Sequence, residues 1–335
     1  MVEGKRKVIL DVDTGTDDAT AIILAALAPK IELLGITTVW GNLPLSVTTE
    51  QTLMITELMK KDIPVYVGCP GPIARGLYPQ AHKEHRRVAV DAKGKEYGYH
   101  DLFQLPRPSA QAQRRHGVDY IVETCRTSRE KITLVAAGPL TNIGMALRIA
   151  PDIVKNIREV VVMGGGITQS NSTLCAEGNI FRDPEAAEIL LKSGAPATFI
   201  TLDATHRAAL PVEYVDRCRG LGNPVGDFFA EILRQRIRVY NALQPLWRGD
   251  IAPIHDALCV AYLLDPAVIP DMRRVHLNVC LDHGNGAGAF LIDTRYYHLK
   301  ENANVAYDGS WERFGEVVMD TLEKAEGLFW KGEEK

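Results

Sequence analysis

Four carboxylates fall within nine residues: "DVDTGTDDA", residues 11–19, carries Asp11, Asp13, Asp17 and Asp18. Uncompensated, such a cluster repels itself. Its chemistry is the binding of a positive partner: a metal ion, a basic side chain or protons. Oxygen-only donors select hard cations such as Ca²⁺ or Mg²⁺. Asp17 and Asp18 also suit the first turn of a helix, where the macrodipole favours negative charge. Capping does not require Asp11 and Asp13, which share one side of an extended segment because strand side chains alternate.

Other stretches offer compatible chemistry. "APIHDALCVAYLLD", 252–265, places His255 and Asp256 at a second helix start. Asp256 as a cap and His255 as an interior histidine is the ordinary reading. A fifth carboxylate at that point also meets what an oxygen-ligated cation needs. "NSTLCAEGN", 171–179, supplies Asn171, Glu177 and Asn179. Amide donors beside a carboxylate acceptor suit several hydroxyls at once. "VVMGGG", 161–166, is a loop that uses glycine's freedom at positive φ. No Lys-Ser/Thr follows it, so it is not a Walker P-loop. "DVDTGT" also matches the D-x-D-x-T opening of haloacid-dehalogenase-type phosphatases. No later G-D-x-x-x-D accompanies it, and the Asp17-Asp18 pair is foreign to that pattern.

These residues need a scaffold, and the chain alternates apolar runs with amphipathic stretches. Strands are expected at "KVILDV", "IELLGITTV", "IPVYVG", "KITLVAAG", "IREVVVMGGG" and "APATFITLD". Helices are expected from "DDATAIILAALA", over 46–60, 111–127 and "PLTNIGMALRIA", and over "DPEAAEILLKSG" with Asp183 as N-cap and Gly194 past the end. The pattern predicts an α/β fold: an open, mostly parallel, Rossmann-like sheet with helices on both faces. The acidic and glycine-rich turns fall at the carboxyl ends of strands, where such sheets bind ligands. The second half is more helical, at 211–219, 222–241, 256–264 and 309–327, with edge strands or a hairpin at 274–281 and 287–293. Residues 70–109 form a long loop rich in Pro, Gly, His and Lys/Arg, of a length usually functional or mobile. No repeat or linker divides the chain, so a single domain over 1–335 is expected.

Composition narrows the function classes. The chain has 335 residues, 46% hydrophobic and 24% charged, with a net charge of −4. That charge gives no basic surface for nucleic-acid polymers or anionic membranes. No run has the length of a membrane-spanning helix. The N-terminus lacks the apolar core of a signal peptide. Six scattered cysteines without a C-x-x-C pair fit reduced thiols in the cytoplasm.

Taken together, the motifs resemble the inosine–uridine nucleoside hydrolase family. Its opening signature, D-x-D-x-G-x-D-D-A, is matched by Asp11, Asp13, Gly15, Asp17, Asp18 and Ala19. "TTVWGN", "GPLTNI", "VVMGGG", "AEGNIFRDPEAA" and "HDALCVAY" match later blocks in order. The resemblance implies hydrolysis of the N-glycosidic bond of ribonucleosides with a bound Ca²⁺. By motif it implies Asp13, Asp18, Asp256 and the Ala137 carbonyl as metal ligands. Asp17, Asn42, Met163, Asn171, Glu177 and Asn179 would hold the ribose, with Asp11 supporting from behind. It implies His255 as assistant to the leaving base; because Ca²⁺ is a modest Lewis acid, a Ca²⁺-bound water still needs a base, and Asp13 is the candidate. The family's habit implies a homodimer or homotetramer.

The base pocket is where the sequence departs from the family. The expected "HG-x-x-G-x-G" segment is missing from 70–109; His82, His85, Tyr97, Tyr99 and His100 stand there without an alignment. Region 211–264 is expected to shape the pocket. Tyr240 is either part of the pocket or of a proton relay, or a half-buried helix tyrosine. Trp247 either stacks on a nucleobase or packs its loop. Purine or pyrimidine preference stays open. So do two other functions: an Asp-nucleophile Mg²⁺ phosphatase and a non-catalytic nucleoside or sugar binder.

Overall fold

The apolar run before the acids forms strand β1, Arg6–Val12, and the segment after them forms helix α1, Thr16–Leu27. β2 (Ile31–Thr38), α2 (Leu45–Leu58) and β3 (Val65–Val67) follow. A hairpin, β4 (Ala89–Val90) and β5 (Glu96–Tyr97), lies within the long loop. The alternation resumes with α3 (Gly117–Thr127), β6 (Ile132–Ala136), α4 (Thr141–Ile149) and β7 (Ile157–Met163). Then come α5 (Gly178–Arg182), α6 (Pro184–Ser193), β8 (Ala197–Ile200) and α7 (Leu202–Arg207). The remainder holds β9 (Leu210–Pro211), α8 (Glu213–Arg219), α9 (Pro224–Leu243), β10 (Ile251–Ala252) and α10 (His255–Leu264). It ends with β11 (Asp271–Val275), β12 (Leu277–Val279), β13 (Phe290–Ile292), β14 (Ala303–Asp308) and α11 (Trp311–Lys324). The structure is a computed structural model and describes residues 4–78, 88–90, 92–100, 103–297 and 299–324.

Eight strands build the main sheet, in the order β11-β14-β8-β7-β6-β1-β2-β3. Every pair is parallel except β11 with β14. From β1 the chain runs outward through β2 and β3, then returns to the opposite side of β1 as β6. Strand order therefore reverses between β1 and β6, and the crevice at their carboxyl ends is where an open α/β sheet takes ligands. Residues 11–19 and Ala137 lie at that crevice.

Period-two alternation splits the apolar residues between two cores. Val8, Leu10 and Val12 of β1 pack into one with α1, α9, α10 and α11; Ile9 packs into the other with α3, α4 and α6. β7 divides in the same way, Val161 and Met163 against Val160 and Val162. This is the arrangement of helices on both faces that the sequence predicts. Asp183 caps α6 by accepting from the Ala186 N–H at 3.1 Å, and Gly194 ends it at φ +83°. Asp183 also accepts from Thr141 Oγ1 at 2.6 Å and the Ile73 N–H at 3.0 Å, tying α4 and the start of the long loop to α6.

Some boundaries differ from expectation, each for a local reason. Helix α3 begins at Gly117, not near 111, because Gln113 instead bonds the edge of β3, its N–H donating to Val65 O at 2.7 Å. Strand β8 stops at Ile200, since Leu202 and Asp203 already open α7. The apolar runs near 274–281 and 287–293 serve two partners: β12 and β13 form a hairpin, while β11 joins the main sheet. The sequence reading missed β14, whose "ANVAYD" carries little of the usual strand signal. It is nonetheless an inner strand, placed between β8 and β11.

Candidate active site

The loop between β1 and α1 is closed by its own acid. Asp18 accepts from the Gly15 N–H at 2.8 Å and the Asp13 N–H at 3.2 Å, satisfying donors that a helix start leaves free. Its neighbour Asp17 belongs to the same first turn. Helix α10 starts nearby with Asp256 in its own first turn. Asp17, Asp18 and Asp256 each place a carboxylate oxygen within 4.8 Å of the others, and all three are buried.

Asp13 is held beside this group by backbone. Its Oδ2 accepts from the Asn42 N–H at 2.6 Å, while Oδ1 is buried with no hydrogen-bond partner. Two glycines leave room for it. A Cβ on Gly138 would meet Asp13 Oδ1 at 2.8 Å, and one on Gly41 would collide with Oδ2. Asp11 lies deeper. Thr37 Oγ1 and Asn142 Nδ2 donate to its Oδ1 at 2.5 and 2.7 Å. Asn142 also donates to Thr38 O and accepts from the Cys69 N–H, so one amide joins the carboxyl ends of β1, β2 and β3.

Burial dominates the electrostatics. It pushes the Asp11 and Asp18 carboxyls from 3.8 up to about 7, against the hydrogen bonds that each accepts. Burial, then neighbouring carboxylates, drive Asp13 and Asp256 well above the usual carboxylate range. Four acids that resist ionisation in one dry crevice are a site short of positive charge. The all-oxygen donors and the orphaned Oδ1 atoms of Asp13 and Asp17 fit a hard cation. Asp18 and Asp256 are expected ligands that fall within the cluster. Asp17, expected on the ribose, is also in it, and Asp13 stands beside it. The Ala137 carbonyl, the fourth expected ligand, accepts from Asn179 Nδ2 at 2.6 Å.

The ribose-side expectations converge on the same crevice from a neighbouring loop. Glu177 accepts from the N–H groups of Gly165, Asn179 and Ile180 at 2.8–3.2 Å, which fixes it against the glycine-rich turn after β7. Asn179 Nδ2 also donates to Met163 O at 3.1 Å. Asn171 is exposed, and its side-chain oxygen accepts from the Gly178 N–H at 2.9 Å. Here it braces the 171–178 loop.

On the other side of the acids stands an aromatic wall. His255 is buried, with Nε2 at 2.7 Å from Tyr240 Oη and Nδ1 at 2.7 Å from Thr205 Oγ1. Tyr99 meets Tyr240 edge-on at 5.4 Å between centroids, and the His206 ring lies 5.7 Å from His255. Burial lowers His100 and His206 to about 4, and His255 well below its usual value. Tyr240 is buried and bonded, not half exposed. Trp247 is 48% exposed, and its Nε1 donates to His206 O at 3.3 Å, which pins its loop to α7.

Sequence reading left several groups in this site without a role. His100, which could not be aligned, sits over Gly15 with Nδ1 3.7 Å from Asp17 Oδ1. His82 and His85 lie outside the described residues. Thr205, Asn142 and Arg236 carried no individual signal, though Asn142 belongs to the "GPLTNI" block. The phosphatase reading loses its nucleophile: Asp11, the first acid of D-x-D-x-T, is 1% exposed and already takes two hydrogen bonds.

Comparison with known proteins agrees with this geometry. The profile of the inosine-uridine preferring nucleoside hydrolase family matches residues 8–316. The pyrimidine-specific ribonucleoside hydrolase RihB of Escherichia coli (strain SE11) is 39% identical over 289 residues, covering 86% of this chain and 88% of that protein. The structure of a purine-preferring ribonucleoside hydrolase from Gardnerella vaginalis superposes with a TM-score of 0.81 at 30% identity, over 96% of this chain and 99% of that one. An inosine-guanosine nucleoside hydrolase superposes with a TM-score of 0.77 at 25% identity, over 95% and 99% of the two chains.

Proposed function

The chain belongs to the inosine-uridine preferring nucleoside hydrolase family, enzymes that cleave the N-glycosidic bond of ribonucleosides, and we propose how its residues divide that reaction. One observation carries the proposal: carboxylates from two helix starts some 240 residues apart converge at the sheet's switch point beside an unpartnered Asp13 oxygen.

Asp18, Asp256 and Asp13 would hold a divalent cation, Ca²⁺ in this reading, with the Ala137 carbonyl as a further donor. Bound there, the ion supplies the positive charge that keeps these carboxylates ionised and gathers water and ribose hydroxyls. Asp17, Asn42, Met163, Glu177 and Asn179 orient the sugar, and Asn171 supports their loop. Asp13 takes the proton of the attacking water. With Oδ1 offered to the cation, Oδ2, which accepts from the Asn42 N–H at 2.6 Å, would be the oxygen that takes the proton. The surrounding carboxylates favour the oxocarbenium-like charge that develops on ribose.

The C–N bond breaks with its electron pair going to the base, which needs a proton. Thr205 Oγ1 lies within donating distance of both Leu202 O, at 3.3 Å, and His255 Nδ1, at 2.7 Å, and its hydrogen is assigned to the imidazole in this reading. His255 then carries its proton on Nε2 and donates to Tyr240 Oη. That leaves the phenol hydrogen for the leaving base, while His255 keeps its Nε2 proton and hydrogen-bonds the phenol oxygen until the proton that Asp13 takes from water is returned through solvent. One proton is gained by Asp13 and one lost through Tyr240, so nucleoside plus water gives ribose plus free base. Trp247 and the 211–264 region border the base pocket.

The relatives' names divide between pyrimidine and purine substrates, so base preference is not carried over. The reading also includes a single domain over 1–335, from the absence of a repeat or linker, a cytoplasmic location, from the scattered cysteines, and a homodimer or homotetramer, from family resemblance. Among the described residues no helix is long and apolar enough to cross a membrane. The test is ribose release from inosine, guanosine, adenosine, uridine and cytidine by wild type and Asp13→Asn. The variant should lose roughly 10²–10⁴ in kcat, the usual worth of positioned proton transfer. Turnover at the wild-type rate would remove Asp13 as the base.

A further inference from the structure

One cation of the chain is already inside the site. Arg236 of α9 is 2% exposed, among the largest fully buried side chains. Its Nε donates to Pro253 O at 2.7 Å, two residues before His255. Nη1 donates to Thr16 Oγ1 at 2.9 Å, and Thr16 in turn donates to Tyr99 O at 2.8 Å. The same Nη1 lies 3.1 Å from Asp17 Oδ1. That contact is an ion pair without hydrogen-bond alignment, and Asp17 Oδ1 keeps no hydrogen-bond partner. The guanidinium also stacks toward the Tyr240 ring, 5.5 Å from its centroid.

We propose that Arg236 is a positioning residue: an internal counter-cation that fixes Asp17 for the ribose while lowering the net negative charge offered to the metal. The claim rests on the reading of the acids as a cation and ribose site. Three features carry it. A lone buried arginine is expensive unless paired, so its place is chosen by its partners. Its planar fork reaches Pro253 O and Thr16 at once, which an ammonium cannot reproduce. Asp17 belongs to the carboxylate cluster, so Arg236 acts on that cluster at a distance of one carboxylate.

The two parts of the role predict opposite signs for one substitution. Arg236→Gln removes the charge but keeps a side-chain donor. Metal binding should tighten, by at least about tenfold in Kd, from the loss of one unit charge within roughly 10 Å at an effective dielectric near 20. Ribonucleoside KM should rise, and kcat/KM fall by at least tenfold, because Asp17 is no longer held. Arg236→Lys keeps the charge but not the fork. Its Ca²⁺ affinity should stay near wild type while kcat/KM still falls.

The experiment is calorimetric titration of chelator-stripped full-length protein with Ca²⁺, together with steady-state kinetics on the best nucleoside. If wild type binds no Ca²⁺, the cation reading fails. If wild type binds and Arg236→Gln binds equally or more weakly while folded, the cation reading stands and the counter-charge role is overturned. If the glutamine variant does not fold, the lysine variant decides alone: wild-type kcat/KM there overturns positioning, and a loss of kcat/KM at unchanged Ca²⁺ affinity supports it.

Discussion

Metal-free protein should lose stability between pH 6.5 and 8. Asp11 and Asp18 have carboxyls pushed from 3.8 to about 7, by burial first. Asp13 and Asp256 move in the same direction, again by burial first. In the unfolded chain these groups are ionised at such pH. The folded state therefore binds more protons, and its stability falls as pH rises through the folded values. The buried histidines act with the opposite sign, mostly at lower pH. His100 and His206, lowered to about 4, cost stability as pH falls below 6.5, where the unfolded imidazoles charge. From pH 6.5 to 8 the unfolded imidazoles shed their remaining half charge, so His100, His206 and His255 offset the acids by roughly 0.4 kcal/mol each. Two groups titrating near 7 give a loss of roughly 0.8 kcal/mol each across the window, and Asp13 and Asp256 add to it. Asp11 and Asp18 alone slightly outweigh the histidines, and Asp13 and Asp256 deepen the net decline. Urea denaturation in a chelating buffer at several pH values measures it. Excess Ca²⁺ should abolish or reverse the decline, because its ligands bind deprotonated. Metal-free stability that is flat or rising from pH 6.5 to 8 would refute the account of these acids.

Two substitutions probe the two sides of the sugar. Tyr240→Phe removes the proposed donor to the base and should cut kcat on natural nucleosides by roughly 10²-fold with little change in KM. A p-nitrophenyl riboside, whose leaving group needs no proton, should be cleaved almost normally; an equal loss on both would remove Tyr240 as the donor. Gly138→Ala places a Cβ 2.8 Å from Asp13 Oδ1 and also 2.8 Å from Val39 Cγ1. Turnover should fall by at least tenfold while thermal unfolding stays cooperative, which kinetics and calorimetry compare directly.

The polar half of the site is legible in sequence because it sits in short contiguous stretches. Asp11 to Asp18 share one loop, His255 and Asp256 one helix start, and Glu177 to Asn179 another. Each is anchored to an element whose apolar period can be read, so the strand ends that gather them can be predicted. Groups that act through tertiary contact escape. Arg236 is one of three arginines in "RQRIRV", and only the fold buries it while Arg234 and Arg238 are less enclosed. Thr205 is an ordinary helix residue until His255 arrives 50 positions later. His100 has no motif, and its place over Gly15 depends on Thr16 holding the Tyr99 carbonyl. Strand β14 is hidden for a related reason: an inner strand recognised by its neighbours' backbones needs few of the side chains that announce one.

The measurement that bears most directly on the acids is ribose release by chelator-stripped enzyme, before and after Ca²⁺ is restored, with Asp256→Asn alongside. Asp256 lies some 240 residues from the other acids in sequence and beside them in space. The account predicts turnover by wild type only when the cation is returned, and residual turnover at most by Asp256→Asn under either condition. Full activity of the stripped enzyme in excess chelator, or of the asparagine variant, would contradict it.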